Sequence, residues 1–276
     1  MPSPYFITMS RMDASKFMQI EGEKPLENLV TDGGFCGIFR TVACIGDSLA
    51  SGEFESTNPD GSTGYHDFYD YSWGQYMARM AGFKCINMSR GGMTAKEYIE
   101  SFAEQKGYYS PDLKAQAYII ALGVNDLLYS KPFIEIGSTD DICKEDYTKN
   151  AKTFMGYYGQ IIQRYKEIEP DAKFFLVTMP YYSNAWGDIA EKTELHHRVI
   201  WELAEFFDNC YVIDLYEHGP VYSPEMRKTF GLGGHLAPTG YMLFAKIFLS
   251  YIDYIIRHNF KDFKQVGLIG TGLKKL

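Results

Sequence analysis

The chain has 276 residues, 46% apolar and 16% aromatic, enough to bury the core of one large domain or of a domain with an extension. A formal net charge of −8 supplies no basic field, which argues against nucleic acid or an anionic membrane as the dominant partner. Five cysteines without a close Cys-x-x-Cys pair give no metal-ribbon spacing and fit a reduced, intracellular protein.

The start of the chain lacks a basic segment followed by an apolar run, so no signal peptide is read and cytoplasm is the expected location. No stretch reads as the roughly 20 apolar residues of a membrane span. Residues 1–39 mix polar and apolar character around a Gly33-Gly34 turn signal and are read as an N-terminal extension packed on a main domain, residues 40–276. From residue 40 onward, short β-branched runs alternate with longer amphipathic ones, as in successive βαβ units. Strands are predicted at 41–46, 83–88, 117–122, 173–179 and 211–215. Helices are predicted at 71–80, 95–105, 147–169, 188–207 and 237–258, the last opened by Pro238, with Leu243, Ile247, Tyr251 and Ile255 as its buried stripe. Residues 53–70 are polar, aromatic and turn-rich, and are read as a long loop beside the site.

Residues just past the carboxyl ends of parallel strands meet in one crevice, and four segments end there in groups suited to acyl transfer. Ser48 follows the first strand in Gly46-Asp47-Ser48-Leu49; it is either an exposed nucleophile or a helix cap. The sequence is not the Gly-x-Ser-x-Gly elbow, because Ala50 stands where that elbow has its second glycine. Gly91-Gly92 follows the second strand and offers a backbone N–H that no Cβ shields, or a plain turn. Asn125, after the apolar run 118–122, can donate its amide to an oxyanion or simply form a turn. His235 opens the last helix and could relay a proton near neutral pH. His196, His197 and His258 fall in predicted helices and are read as surface or helix-end residues, whereas His66 and His218 lie in loops that could line the pocket. Phe54, Tyr65, Phe68, Tyr69, Tyr71 and Trp73, then Tyr181, Tyr182 and Trp186, place aromatic rings near the rim, where about half should serve ordinary packing.

In this order, Gly46-Asp47-Ser48-Leu49, Gly92 two residues before Thr94, Gly123-Val124-Asn125-Asp126 and His235-x-x-Pro238-x-Gly240-Tyr241 resemble the SGNH, or GDSL-type, hydrolase family over about residues 40–258. The resemblance implies an α/β fold, a three-layer α/β/α flavodoxin-like sandwich with a central parallel sheet of about five strands. It also implies a serine esterase that needs neither metal nor organic cofactor. Ser48 would be the nucleophile and His235 the base, with Ser48 N–H, Gly92 N–H and the Asn125 amide as oxyanion hole. The expected substrate is a small acyl ester, with deacetylation of a carbohydrate favoured and a lysophospholipase or thioesterase as the alternative. One family position departs: Leu232 stands three residues before the histidine, where an aspartate is usual. The expectation is therefore that a backbone carbonyl near Leu232 or Gly233, or less favourably Asp214, orients His235. A catalytically weakened binding module is the rival reading.

Overall fold

A computed structural model describes residues 14–183 and 188–275; the first 13 residues and Trp186 lie outside the described residues. The five predicted strands form one parallel sheet: β1 (Thr41–Gly46), β4 (Lys84–Ser89), β5 (Ala117–Ala121), β6 (Lys173–Val177) and β7 (Cys210–Ile213), in the order β4-β1-β5-β6-β7. These strands are nearly continuous apolar runs because both sheet faces are covered. Val42 and Cys44 point into one core and Ala43 and Ile45 into the other, as period-two alternation requires.

One face is covered by α2 (Trp73–Ala81) and α8 (Pro238–His258). The other is covered by α5 (Phe154–Ile168), α6 (Ile189–Phe206) and a helix over residues 95–105, in which α3 (Ala95–Glu97) and α4 (Ala103–Gln105) flank a π-helical turn. This is the three-layer α/β/α arrangement expected. The helix predicted from 147 begins instead at Phe154, where the Thr153 hydroxyl accepts from Gly156 N (3.1 Å) as its N-cap.

By length and composition the 21-residue α8 could cross a bilayer, but most of it is buried in the protein. Of its predicted stripe, Ile247, Tyr251 and Ile255 are buried in the core and Leu243 is partly buried against it, and its outer side is covered by residues 14–39. Val30 N donates to Ser250 Oγ (3.1 Å), Phe35 N to Asp253 Oδ1 (2.8 Å), and Arg257 pairs with Glu23 and Asp253. Ser250, Asp253 and Arg257 are buried polar groups because the extension supplies their partners.

The largest departure from expectation is at residues 53–67. Rather than a loop, they form an antiparallel hairpin of β2 (Glu53–Thr57) and β3 (Thr63–Asp67). The turn Asn58-Pro59-Asp60-Gly61 closes it, with Asn58 N bonded to Ser62 O (2.9 Å) and Gly61 at φ 83°. Alternation then sorts its side chains. Phe54 packs on Phe68, Tyr71 and Tyr241, while Glu53 and Glu55 turn towards the end of the sheet.

Candidate active site

Ser48 is the first residue of α1 (Ser48–Ser51), entered directly from β1. Asp47 caps that turn, accepting from Leu49 N (3.1 Å). A Cβ at Gly46 would come within 2.5 Å of Ala50 Cβ and 2.9 Å of Ala121 O, so a glycine is what lets the helix begin this close to the sheet. The half-buried Ser48 opens onto a cavity of about 520 Å³ at the carboxyl ends of the strands. Gly92, Asn125 and His235 line the same cavity, so the four sequence positions meet.

Gly92 has φ 70° and open space where a Cβ would stand. Asn125 Nδ2 donates to Met93 O (3.1 Å) and lies 3.5 Å from Asp47 Oδ2, which ties the amide to the loop carrying Gly92. Burial pushes the Asp47 carboxyl up to about 6, opposed by the Leu49 N–H and His235 and aided by Glu53. Burial likewise raises Asp126 to about 7, although Ala95 N donates to it (3.0 Å).

His235 corrects the expectation about its orienting group. Its Nδ1 lies 2.8 Å from Glu55 Oε1, which also accepts from Gly234 N (2.7 Å). Neither a carbonyl of Leu232 or Gly233 nor Asp214 fills this role. The reason is local: β8 (Gly231–Leu232) and β9 (His235–Leu236) form a tight hairpin that leaves Leu232 44% exposed. The Gly233-Gly234 turn has no Cβ, and one at Gly233 would sit 1.9 Å from Glu55 Oε2. The space beside the imidazole therefore belongs to Glu55 from the other hairpin.

Asp214 instead accepts from Trp201 Nε1 (2.9 Å), pairs with His197 Nε2 (2.8 Å) and accepts from Thr178 Oγ1 (3.2 Å). Burial drives its carboxyl up, but the bonds from Trp201, Glu217 N and His197 outweigh that and leave it lowered. It is a structural acceptor at the end of β7.

Nε2 of His235 faces a second carboxylate, Glu53 Oε1, at 3.1 Å. Glu53 is buried, chiefly by this burial its carboxyl is raised, and His235 pulls in the opposite direction. A Cβ at Gly91 would fall 1.9 Å from Glu53 Oε2, so Gly91 makes room for Glu53 and leaves the cavity position to Gly92. Among the described residues no hydrogen bond joins Ser48 Oγ to His235. Sequence reasoning missed both glutamates, although the alternation Glu53-Phe54-Glu55 before Asn58-Pro59-Asp60-Gly61 is a hairpin signal.

The competing histidines also sort out. His196 is fully buried rather than at a helix surface; its Nδ1 accepts from Met179 N (3.2 Å) and its Nε2 donates to Leu122 O (3.0 Å). Burial pushes it down to about 4, which keeps it a neutral wall of the cavity. His66 bonds Ser56 Oγ (2.8 Å) on the hairpin. Of the expected rim aromatics, Tyr65, Trp73 and Tyr182 line the cavity, joined by Tyr129 and Tyr222, which the sequence reading did not single out.

A serine, a carboxylate-bonded imidazole, a glycine and an asparagine lining one cavity at the end of a parallel sheet are the groups a serine acyl hydrolase uses. The chain belongs to the GDSL-like lipase/acylhydrolase family, whose model matches residues 44–243, and it is an ester-hydrolysing enzyme. Solved structures of similar fold include a family two carbohydrate esterase from Clostridium thermocellum in complex with cellohexaose (17% identity, 88% of this chain and 67% of that one, TM-score 0.54). A carbohydrate esterase family 2 enzyme with a carbohydrate binding domain from Corynascus thermopiles is similar too (16%, 77% and 65%, TM-score 0.53), as is a protein from Lactobacillus plantarum (16%, 78% and 97%, TM-score 0.54). A comparison with curated proteins gives no match.

Proposed function

We propose that the enzyme hydrolyses the ester of an acylated carbohydrate through an acyl-enzyme on Ser48, with Glu55, His235 and Ser48 as its triad. The observation that carries this reading is the 2.8 Å contact between Glu55 Oε1 and His235 Nδ1 in the cavity that Ser48 lines. A carboxylate on Nδ1 fixes the tautomer with the lone pair on Nε2 and stabilises the imidazolium that forms.

Ser48 Oγ attacks the ester carbonyl carbon while His235 Nε2 takes its proton. Gly92 N–H, Ser48 N–H and the Asn125 amide donate to the carbonyl oxygen as it gains negative charge. Collapse breaks the bond to the alcohol oxygen, which receives the proton from Nε2. Water, deprotonated by the same nitrogen, then releases the acid and restores Ser48. Before the first step Nε2 must pass from Glu53 to Ser48 Oγ. Burial raises the Glu53 carboxyl, so it disfavours the charged form that competes with Ser48 for Nε2.

The carbohydrate part rests on the ring of Tyr65, Tyr129, Tyr182 and Tyr222 about the cavity, since aromatic faces with polar tips stack on sugars. The two carbohydrate esterases of similar fold support it. The test is release of acid from acylated mono- and oligosaccharides and from the matching acylated glycerols. Faster turnover of the sugar esters is expected, with no turnover by Ser48→Ala; equal or faster turnover of the glycerol esters would remove the carbohydrate assignment.

A further inference from the structure

Resting on the esterase reading above, we propose that the acyl group is a medium-length alkyl chain, butyryl to octanoyl, rather than acetyl, and that it lies in an internal apolar lobe of the cavity. The cavity that Ser48 lines is also lined by Trp73, Val177, Leu215, Leu236, Phe244 and Phe248, with Ala121 and Val177 at the ends of β5 and β6. All six are buried and belong to the core between the sheet and the α2–α8 layer. They come from five separate parts of the fold, and Phe244 and Phe248 stand one helical turn apart on α8. The Trp73 and Phe248 rings pack edge to face, 4.7 Å apart.

The polar side chains bordering this lobe are already engaged. Thr178 Oγ1 donates to Asp214 Oδ1 (3.2 Å) and accepts from Tyr216 N (3.0 Å), while Asp47 accepts from Leu49 N. An alkyl chain needs no hydrogen-bond partner among the six apolar side chains. The whole cavity of about 520 Å³ falls within the roughly 300–1,000 Å³ of pockets that enclose drug-sized ligands. An acetyl group on Ser48 would leave the lobe empty.

Each methylene moved from water into such a lobe can raise kcat/KM by up to about fourfold. The experiment measures kcat/KM of the full chain on p-nitrophenyl acetate, butyrate, hexanoate, octanoate and laurate. In parallel, calorimetry measures binding of acetamide and hexanamide to Ser48→Ala. The expected profile rises at least about tenfold from acetate to an optimum between butyrate and octanoate and falls at laurate, and hexanamide binds at least about tenfold more tightly than acetamide. Val177→Phe, which fills the lobe, should move the optimum to a shorter chain, and Phe248→Ala, which deepens it, to a longer one. A profile highest at acetate, or equal binding of the two amides, overturns the lobe while leaving the esterase reading intact. Tight hexanamide binding without turnover of any ester upholds the lobe and overturns the esterase reading.

Discussion

Glu55→Gln separates the charge of the proposed triad acid from its shape. Glutamine keeps a carbonyl oxygen that can accept from His235 Nδ1 and Gly234 N, the two bonds Glu55 Oε1 now makes at 2.8 and 2.7 Å. It removes the negative charge that faces the imidazolium in the transition state. Two unit charges about 4 Å apart at an effective dielectric of about 20 interact by about 4 kcal/mol, or nearly three decades in rate. The Glu55 side chain is 19% exposed, so water screens part of this, and a fall in kcat of roughly 10²–10³ is expected. The assay is steady-state hydrolysis of p-nitrophenyl butyrate, with circular dichroism to establish folding. KM should change little, because the charge acts on the protonated base and not on bound ester. Asp214→Asn serves as the control and should leave kcat within about threefold, since Asp214 serves His197 and Trp201. A Glu55→Gln enzyme as fast as the wild type, or an Asp214→Asn enzyme crippled while still folded, would refute the assignment.

Leu232→Asp should bring no gain in kcat, because Nδ1 already has a carboxylate and position 232 is exposed; a rise of tenfold or more would mean that Glu55 does not hold the ring. Asn125→Ala should lower kcat by roughly 10²–10³ with a smaller change in KM, as for an oxyanion donor, and a loss confined to KM would make Asn125 a substrate-positioning group. Asp126 carries a stability prediction. Its folded-state value, about 7, lies above the unfolded carboxyl range, so the stability it contributes is present below about pH 4 and lost as the pH rises through 7. The rise from the ordinary carboxyl value to about 7 sets a ceiling of about 4 kcal/mol. Asp126→Asn, which keeps an acceptor for Ala95 N, should therefore be the more stable protein in urea unfolding at about pH 8 and should lose this pH dependence; a less stable variant at that pH contradicts the sign.

The sheet was legible because β1, β4, β5, β6 and β7 are covered on both faces, which writes each strand as an apolar run. The motif residues Ser48, Gly92, Asn125 and His235 stand at fixed offsets from those runs, so their meeting in one cavity could be expected. Glu55 was hidden for a different reason: the contact with His235 spans 180 positions between two hairpins, and no periodicity joins them. The hairpin is written in the sequence as Asn58-Pro59-Asp60-Gly61 between alternating runs, but the polar, turn-rich composition of the segment equally suits a loop. His196 was misplaced because helical pattern says which face is apolar, not that a buried imidazole will bridge Met179 N and Leu122 O. The burial of α8 on both sides likewise depends on residues 14–39 folding back across it, a contact invisible in local sequence.

The central claim is that Ser48 is an activated nucleophile held by this site, and covalent labelling with an alkyl fluorophosphonate followed by intact and peptide mass spectrometry tests it most directly. One phosphonyl group on Ser48 is predicted, labelling should slow by roughly 10²–10³ in Glu55→Gln, and Ser48→Ala should stay unlabelled. An unlabelled wild-type protein, or a label on another residue, would contradict the account.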